Sequence, residues 1–208
     1  MSQIGLPFDW PAEADKSDFL ISAANSAAAE HLEHWSRWPV KASVLIGPRK
    51  SGRSLLGRIF AHNTGGHVID DAELHPEAEV FHAWNEAQES RKPLLIIALQ
   101  PPIAWPVRLP DLKSRLGATP MVHIGDPDLD LCTQLIERLL GRRGIAISPD
   151  VARFIATRME RGYVDIQRIV DALDQESLSA RRAITIPFAR DQLSKLALID
   201  RAPVTEPG

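Results

Sequence analysis

The chain has 208 residues, 44% hydrophobic and 25% charged, with a formal net charge of −3. These fractions match ordinary folded domains, which excludes disordered, collagen-like and fibrous classes and leaves one domain, or one with a smaller satellite. The charge gives no electrostatic reason to bind nucleic acid. A single cysteine, Cys132, excludes a disulfide framework and a cysteine-based zinc cage.

Residues 1–16 are rich in Pro and Asp and read as an extended leader. They carry no positive n-region and no sustained apolar core, so they do not form a signal peptide. Ala and Leu recur at helical spacing from Ser17 to Trp38. Lys41-Ala-Ser-Val-Leu-Ile is a short β-leaning run ending at Gly47, and Ser54 to Ala61 is a short helix. His67-Val-Ile-Asp-Asp71 reads as a second strand ending in acid, and a helix over Glu77 to Ser90 comes next. The apolar run Leu94 to Leu99, flanked by prolines, fits a strand buried on both faces. It is far short of the roughly 20 residues of a membrane span, so the chain is expected in the cytoplasm with no membrane partner. Met121 to Ile124 is a fourth strand.

After Asp126 the periodicity becomes helical throughout. Leu131, Leu135 and Leu139, then Val151, Ile155 and Met159, then Ile166, Val170 and Leu173 each mark one helix face. Ser148-Pro149 is a helix start. Cys132 stands among Leu131, Leu135 and Ile136, as a buried structural thiol would. The fold class expected is therefore α/β: a parallel sheet flanked by helices over 17–125, a small all-helical domain over 126–200, and a tail over 201–208.

Gly47, Pro48, Arg49, Lys50, Ser51, Gly52, Arg53 and Ser54 have the spacing of the phosphate-binding loop G-x-x-x-x-G-K-[ST], with Arg53 where Lys is usual. Glycines there let backbone N–H groups turn inward around phosphates, the next helix adds its positive end, and the Ser54 hydroxyl would ligate Mg²⁺. A Gly-rich turn without ligand is the plain alternative. Asp70 and Asp71 at a strand end supply acids for Mg²⁺ and water, or simply cap the next helix. Asp126, Asp128, Asp130 and Glu137 mimic a calcium loop, but Leu131 stands where glycine is needed, so these acids read as a helix N-terminus. His67, His75 and His82 lack metal-ligand spacing.

With loop, acid pair and helical domain in order, the chain resembles the DnaA-related AAA+ family. More narrowly it is similar to the Hda branch, the regulatory inactivators of DnaA, in alphaproteobacterial form. The residues that carry this run from Gln3 to about Leu196: Asp18 to Asn25, Trp35 to Pro39, Pro101-Pro-Ile-Ala-Trp-Pro106, Leu109-Pro-Asp-Leu-Lys-Ser-Arg-Leu116 and Ile184-Thr-Ile-Pro-Phe-Ala-Arg190.

The resemblance implies an AAA+ module with a helical lid, and a negative regulator of replication initiation. Gln3, Ile4, Leu6, Pro7 and Phe8 resemble the peptide by which the branch docks on the DNA polymerase sliding clamp. Arg115 matches the arginine finger that would act in trans on ATP held by DnaA. Self-association is a further partner expectation. Three contacts to a γ-phosphate depart from the family: Arg53 in the loop, Ile97-Ala-Leu at the sensor strand, and Val164 in the lid position of a sensor arginine, with Arg168 one turn further on. Intrinsic ATP hydrolysis is therefore expected to be absent, with ADP and Mg²⁺ as candidate ligands. Between Phe60 and His67 there is no room for the edge strand and helix of relatives. No helix-turn-helix segment comes after the lid, so sequence-specific DNA binding is not expected. The alternative reading is a clamp-binding adaptor with a vestigial nucleotide site.

Overall fold

A computed structural model describes residues 19–195, so the clamp-like peptide Gln3 to Phe8 and the residues after Lys195 lie outside the described residues. Four parallel strands form one sheet in the order β2-β3-β1-β4. They are β1 (Ala42–Ile46), β2 (His67–Ile69), β3 (Leu94–Ala98) and β4 (Met121–His123). β1 and β3 are buried at every position and pair from Ala42 opposite Leu94 to Ile46 opposite Ala98. Strands buried along their whole length must be covered on both faces. Leu45, Leu95 and Ile97 meet α1 (Ser26–Glu33) and α2 (Arg53–Thr64) on one side. Val44, Ile46, Leu94 and Ile96 meet α3 (Glu77–Ser90) and α4 (Pro110–Ala118) on the other.

The edge strand and helix of relatives have no counterpart between α2 and β2, as the short Phe60-to-His67 spacing predicts. α2 runs to Thr64, Gly65 turns left-handed at φ 63°, and the chain enters β2, which is the edge strand. The helix expected from Ser17 is shorter. Residues 19–25 form turns, because the Asn25 side chain accepts from the Ser22 N–H at 2.9 Å and donates to the Leu20 carbonyl at 2.8 Å. Side-chain bonds of this kind compete with the helical ladder.

The second half consists of α5 (Leu129–Arg142), α6 (Pro149–Ala156), α7 (Tyr163–Ala180) and α8 (Ile186–Lys195) around their own core. Asp128 caps α5, accepting from the Leu131 N–H at 2.7 Å, so the acidic stretch is a helix start. Ser148 caps α6 as its sequence suggests. Cys132 is fully buried and burial raises its thiol pKa to about 11, which leaves it an inert core residue. Leu131 and Tyr163 also join the core beside α2, and the Tyr163 hydroxyl donates to the Gly125 carbonyl at 3.1 Å, seating the lid on the α/β part.

Gly57 sets the approach of α2 to the sheet. A Cβ there would lie 2.6 Å from Ile97 Cδ1 and 3.3 Å from Val68 Cγ1. Gly57→Ala is expected to cost about 1–3 kcal/mol in urea denaturation. Gly141→Ala in α5, where a Cβ meets nothing within 4 Å, is expected to add about 0.4–1 kcal/mol.

Candidate functional site

β1 ends beside the point where the sheet order reverses, with β2 and β3 on one side and β4 on the other, so its loop opens into the crevice of the sheet. That loop is Gly47–Ser54. Gly47 passes so close to β4's exit that a Cβ would lie 2.9 Å from Ile124 Cβ. Lys50 (φ 66°) and Gly52 (φ 89°) are left-handed, and Gly52 opens α2. Left-handed positions ahead of a helix turn successive N–H groups into a concavity suited to an anion. The ring of Phe19 closes one flank, 3.0 Å from where a Gly52 Cβ would be.

Arg53, in the position of the usual Lys, is 8% exposed. Its Nη2 lies 3.6 Å from Asp71 Oδ1 at the end of β2. Asp71 reaches this position in a left-handed conformation, φ 48°. Asp70 accepts the Asp71 N–H at 3.0 Å. The loop and the acid strand are thus joined by an ion pair of the protein's own. Two buried polar groups in the loop lack a partner among the described residues, Arg53 Nη1 and the Ser51 hydroxyl. At the expected sensor strand, the polar contact comes from elsewhere: Glu73 Oε1 accepts the Leu99 N–H at 2.8 Å.

The lid presents α7. Val164 and Arg168 lie on one helix face, and both are exposed. The Arg168 guanidinium turns back to Asp165 at 3.4 Å. Asp171 shares that face. The Arg143 guanidinium, which donates to it, holds its carboxyl below the usual aspartate range; burial opposes this, and the Gln167 hydrogen bond and the Lys50 charge reinforce it. Nothing in the sequence singled out Asp171, although helical spacing from Val164 and Arg168 would have pointed to it.

Arg115 stands apart from these groups, in the last turn of α4 on the opposite side of the sheet from α2. Its guanidinium lies over two rings of α3, 4.5 Å from the Phe81 centroid and 4.8 Å from that of Trp84. It makes no ion pair among the described residues, and no carbonyl at the helix end takes its donors.

The left-handed turns ahead of α2 suit the phosphates of a nucleotide, and the loop holds two buried polar groups without a partner among the described residues. It fits a divalent cation less well, because Asp71 already has a cationic partner, leaving the exposed Ser54 and the half-buried Asp70 as the groups for one. Among the described residues no group of three His, Cys, Asp or Glu is arranged to hold a metal, and no helix is long and apolar enough to cross a membrane.

A family model described as "Hda, lid domain" matches residues 132–193. An uncharacterized protein of Haemophilus influenzae is 32% identical over 119 residues, 57% of this chain and 52% of that protein, so the match spans about half the relative's length. Domain III of the replication initiation protein DnaA from Thermotoga maritima superposes with a TM-score of 0.72 at 16% identity, covering 90% of this chain and 98% of that one. A replication initiator DnaA bound to AMPPCP and single-stranded DNA gives 0.60 at 14% identity, over 79% of this chain and 66% of that one. Thermotoga maritima RuvB gives 0.64 at 14%, over 88% and 72% respectively. These likenesses show the fold, an AAA+ module.

Two measurements test the charge arrangement. Asp71→Ala leaves a buried guanidinium unpaired and is expected to cost about 1–2 kcal/mol in urea denaturation, whereas Arg53→Met should change stability by less than about 1 kcal/mol. Because the folded Asp171 has the lower pKa, its contribution is present above the unfolded aspartate value and lost as pH falls below about 4. Melting temperature is expected to fall on acidification through that range, and to fall less steeply in Asp171→Asn.

Proposed function

We propose that this chain, whose residues 132–193 match an Hda lid-domain model and whose fold is that of DnaA domain III, is a DnaA-related AAA+ protein and a negative regulator of chromosomal replication initiation. It docks on the DNA polymerase sliding clamp through Gln3, Ile4, Leu6, Pro7 and Phe8, and it promotes ATP hydrolysis by DnaA through Arg115. The observation that carries the reading is the state of Arg115: a cation on the surface of α4 with no carboxylate partner. A guanidinium of this kind stabilises the charge that develops on a transferring γ-phosphoryl group, and it can be supplied from a neighbouring subunit. The chain's own loop supports the same division of labour. Arg53 is committed to Asp71, so the protein holds ADP through the loop backbone and carries out no hydrolysis of its own.

Clamp docking rests on general peptide physics. An extended, Pro-stiffened segment lays Ile4, Leu6 and Phe8 into an apolar groove with Gln3 as polar anchor. Tethering at the clamp raises the local concentration beside DnaA without a strong pairwise contact, and brings the chain to DNA without base reading. The cytoplasm is the compartment this requires.

The Arg53–Asp71 pair also favours a second reading, a clamp-binding adaptor whose nucleotide site is vestigial. Calorimetry separates the two: tight ADP binding supports the regulator, and no heat at millimolar ADP supports the adaptor. In turnover assays of DnaA–ATP with clamp loaded on DNA, Arg115→Ala is expected to lower stimulation by about 10³-fold. A variant that stimulates as well as the parent protein removes the assignment. In clamp pull-downs, Gln3→Ala/Leu6→Ala is expected to be lost from the bound fraction.

A further inference from the structure

Three side chains around Arg115 form a closed circuit. Phe81 and Trp84, one turn apart on α3, offer their ring faces to its guanidinium at 4.5 and 4.8 Å. The Trp84 Nε1–H donates to Thr119 Oγ1 at 3.1 Å, which fixes the rotation of the indole. The Thr119 hydroxyl in turn donates to the carbonyl of Arg115 itself at 2.8 Å. Thr119 is 6% exposed, so this link is shielded from water.

The choice of rings over a carboxylate has a chemical consequence. An Asp or Glu partner would take two N–H donors of the planar fork and cancel its charge. An aromatic face attracts the cation through the ring quadrupole and meets the flat side of the guanidinium, so the N–H edge stays free for an anion. The negative end of the α4 dipole favours a cation at the same position. Four other arginines do meet carboxylates, Arg53 at Asp71, Arg143 at Asp171 and Asp174, Arg153 at Asp130 and Arg168 at Asp165, whereas Arg158 and Arg190 share the single ring of Phe154. Arg115 is held in place without being neutralised.

We propose that Phe81 and Trp84 are positioning residues that pre-orient Arg115, with its charge and donors intact, toward the phosphates of a nucleotide bound by the partner. The proposal rests on the reading of Arg115 as a trans-acting residue. Pre-orientation lowers the ordering cost of a long, rotamer-rich side chain at the moment of reaction, so its loss lowers the maximal rate while leaving complex formation unchanged.

The test measures DnaA–ATP turnover in the presence of clamped DNA as the concentration of this chain is raised. Phe81→Leu and Trp84→Leu are each expected to lower the plateau by about tenfold with the half-saturating concentration unchanged. Trp84→Phe, which keeps a ring face, is expected to restore most of the plateau. In the unmodified protein, Arg115 side-chain protons are expected upfield by NMR through the ring currents of the two aromatics. Plateaus equal to the parent in both Leu variants, beside a loss in Arg115→Ala, overturn the positioning role alone. A shifted half-saturation with an intact plateau, or no upfield shift, also overturns it. Full stimulation by Arg115→Ala overturns this inference and the reading beneath it together.

Discussion

Burial of β1 and β3 on both faces is the condition from which the architecture derives. Strands this apolar need a helical layer on each side, and parallel neighbours need long crossovers, so α2 and α3 must leave from strand ends and return over opposite faces. The loops that leave β1, β2 and β3 are then gathered at one end of the sheet. The phosphate loop after β1, the acids after β2 and the Glu73-capped end of β3 are neighbours for this reason. The loss of an edge strand leaves the arrangement intact, because only β2 is exposed by it.

Within that frame the chain satisfies its own nucleotide site. The Arg53 guanidinium reaches Asp71 at 3.6 Å. Arg143 ties Asp171 of the lid to the end of α5. The first pair joins loop and acid strand, and the second holds the lid helices together, without a ligand. Arg115, which has no carboxylate partner among the described residues, lies on the far side of the sheet, on α4, away from that loop.

The elements that periodicity marks are the ones the structure contains. The span Glu77–Ser90, the buried run Leu94–Ala98 and the three apolar stripes of the lid appear where spacing puts them, because burying one face or both is a local requirement written in residue order. The helix start at Ser17 failed for an equally local reason, in that Ser22 and Asn25 offer the backbone alternative partners. At the site, the loop and the acid pair were legible as residue types at fixed offsets, and Arg115 only through the family resemblance. Their partners were not, since Asp71, Asp171, Phe81 and Trp84 are joined to them across different elements.

What the sequence determined by itself is the menu: a continuous apolar strand and a short β-leaning run, a glycine-bounded loop ahead of a helix, an arginine in place of a lysine, and a second, all-helical core. What only the tertiary structure decided is which charges meet. Whether Arg53 points to solvent, to a ligand or to Asp71 depends on the pitch of α2 over the sheet, which the absence of a side chain at Gly57 sets. Whether Arg115 is paired or free depends on α3 presenting two rings and no acid at that point. Electrostatic and π contacts act over a few ångströms, and residues distant in sequence reach that range only once the two helical layers have closed on the sheet.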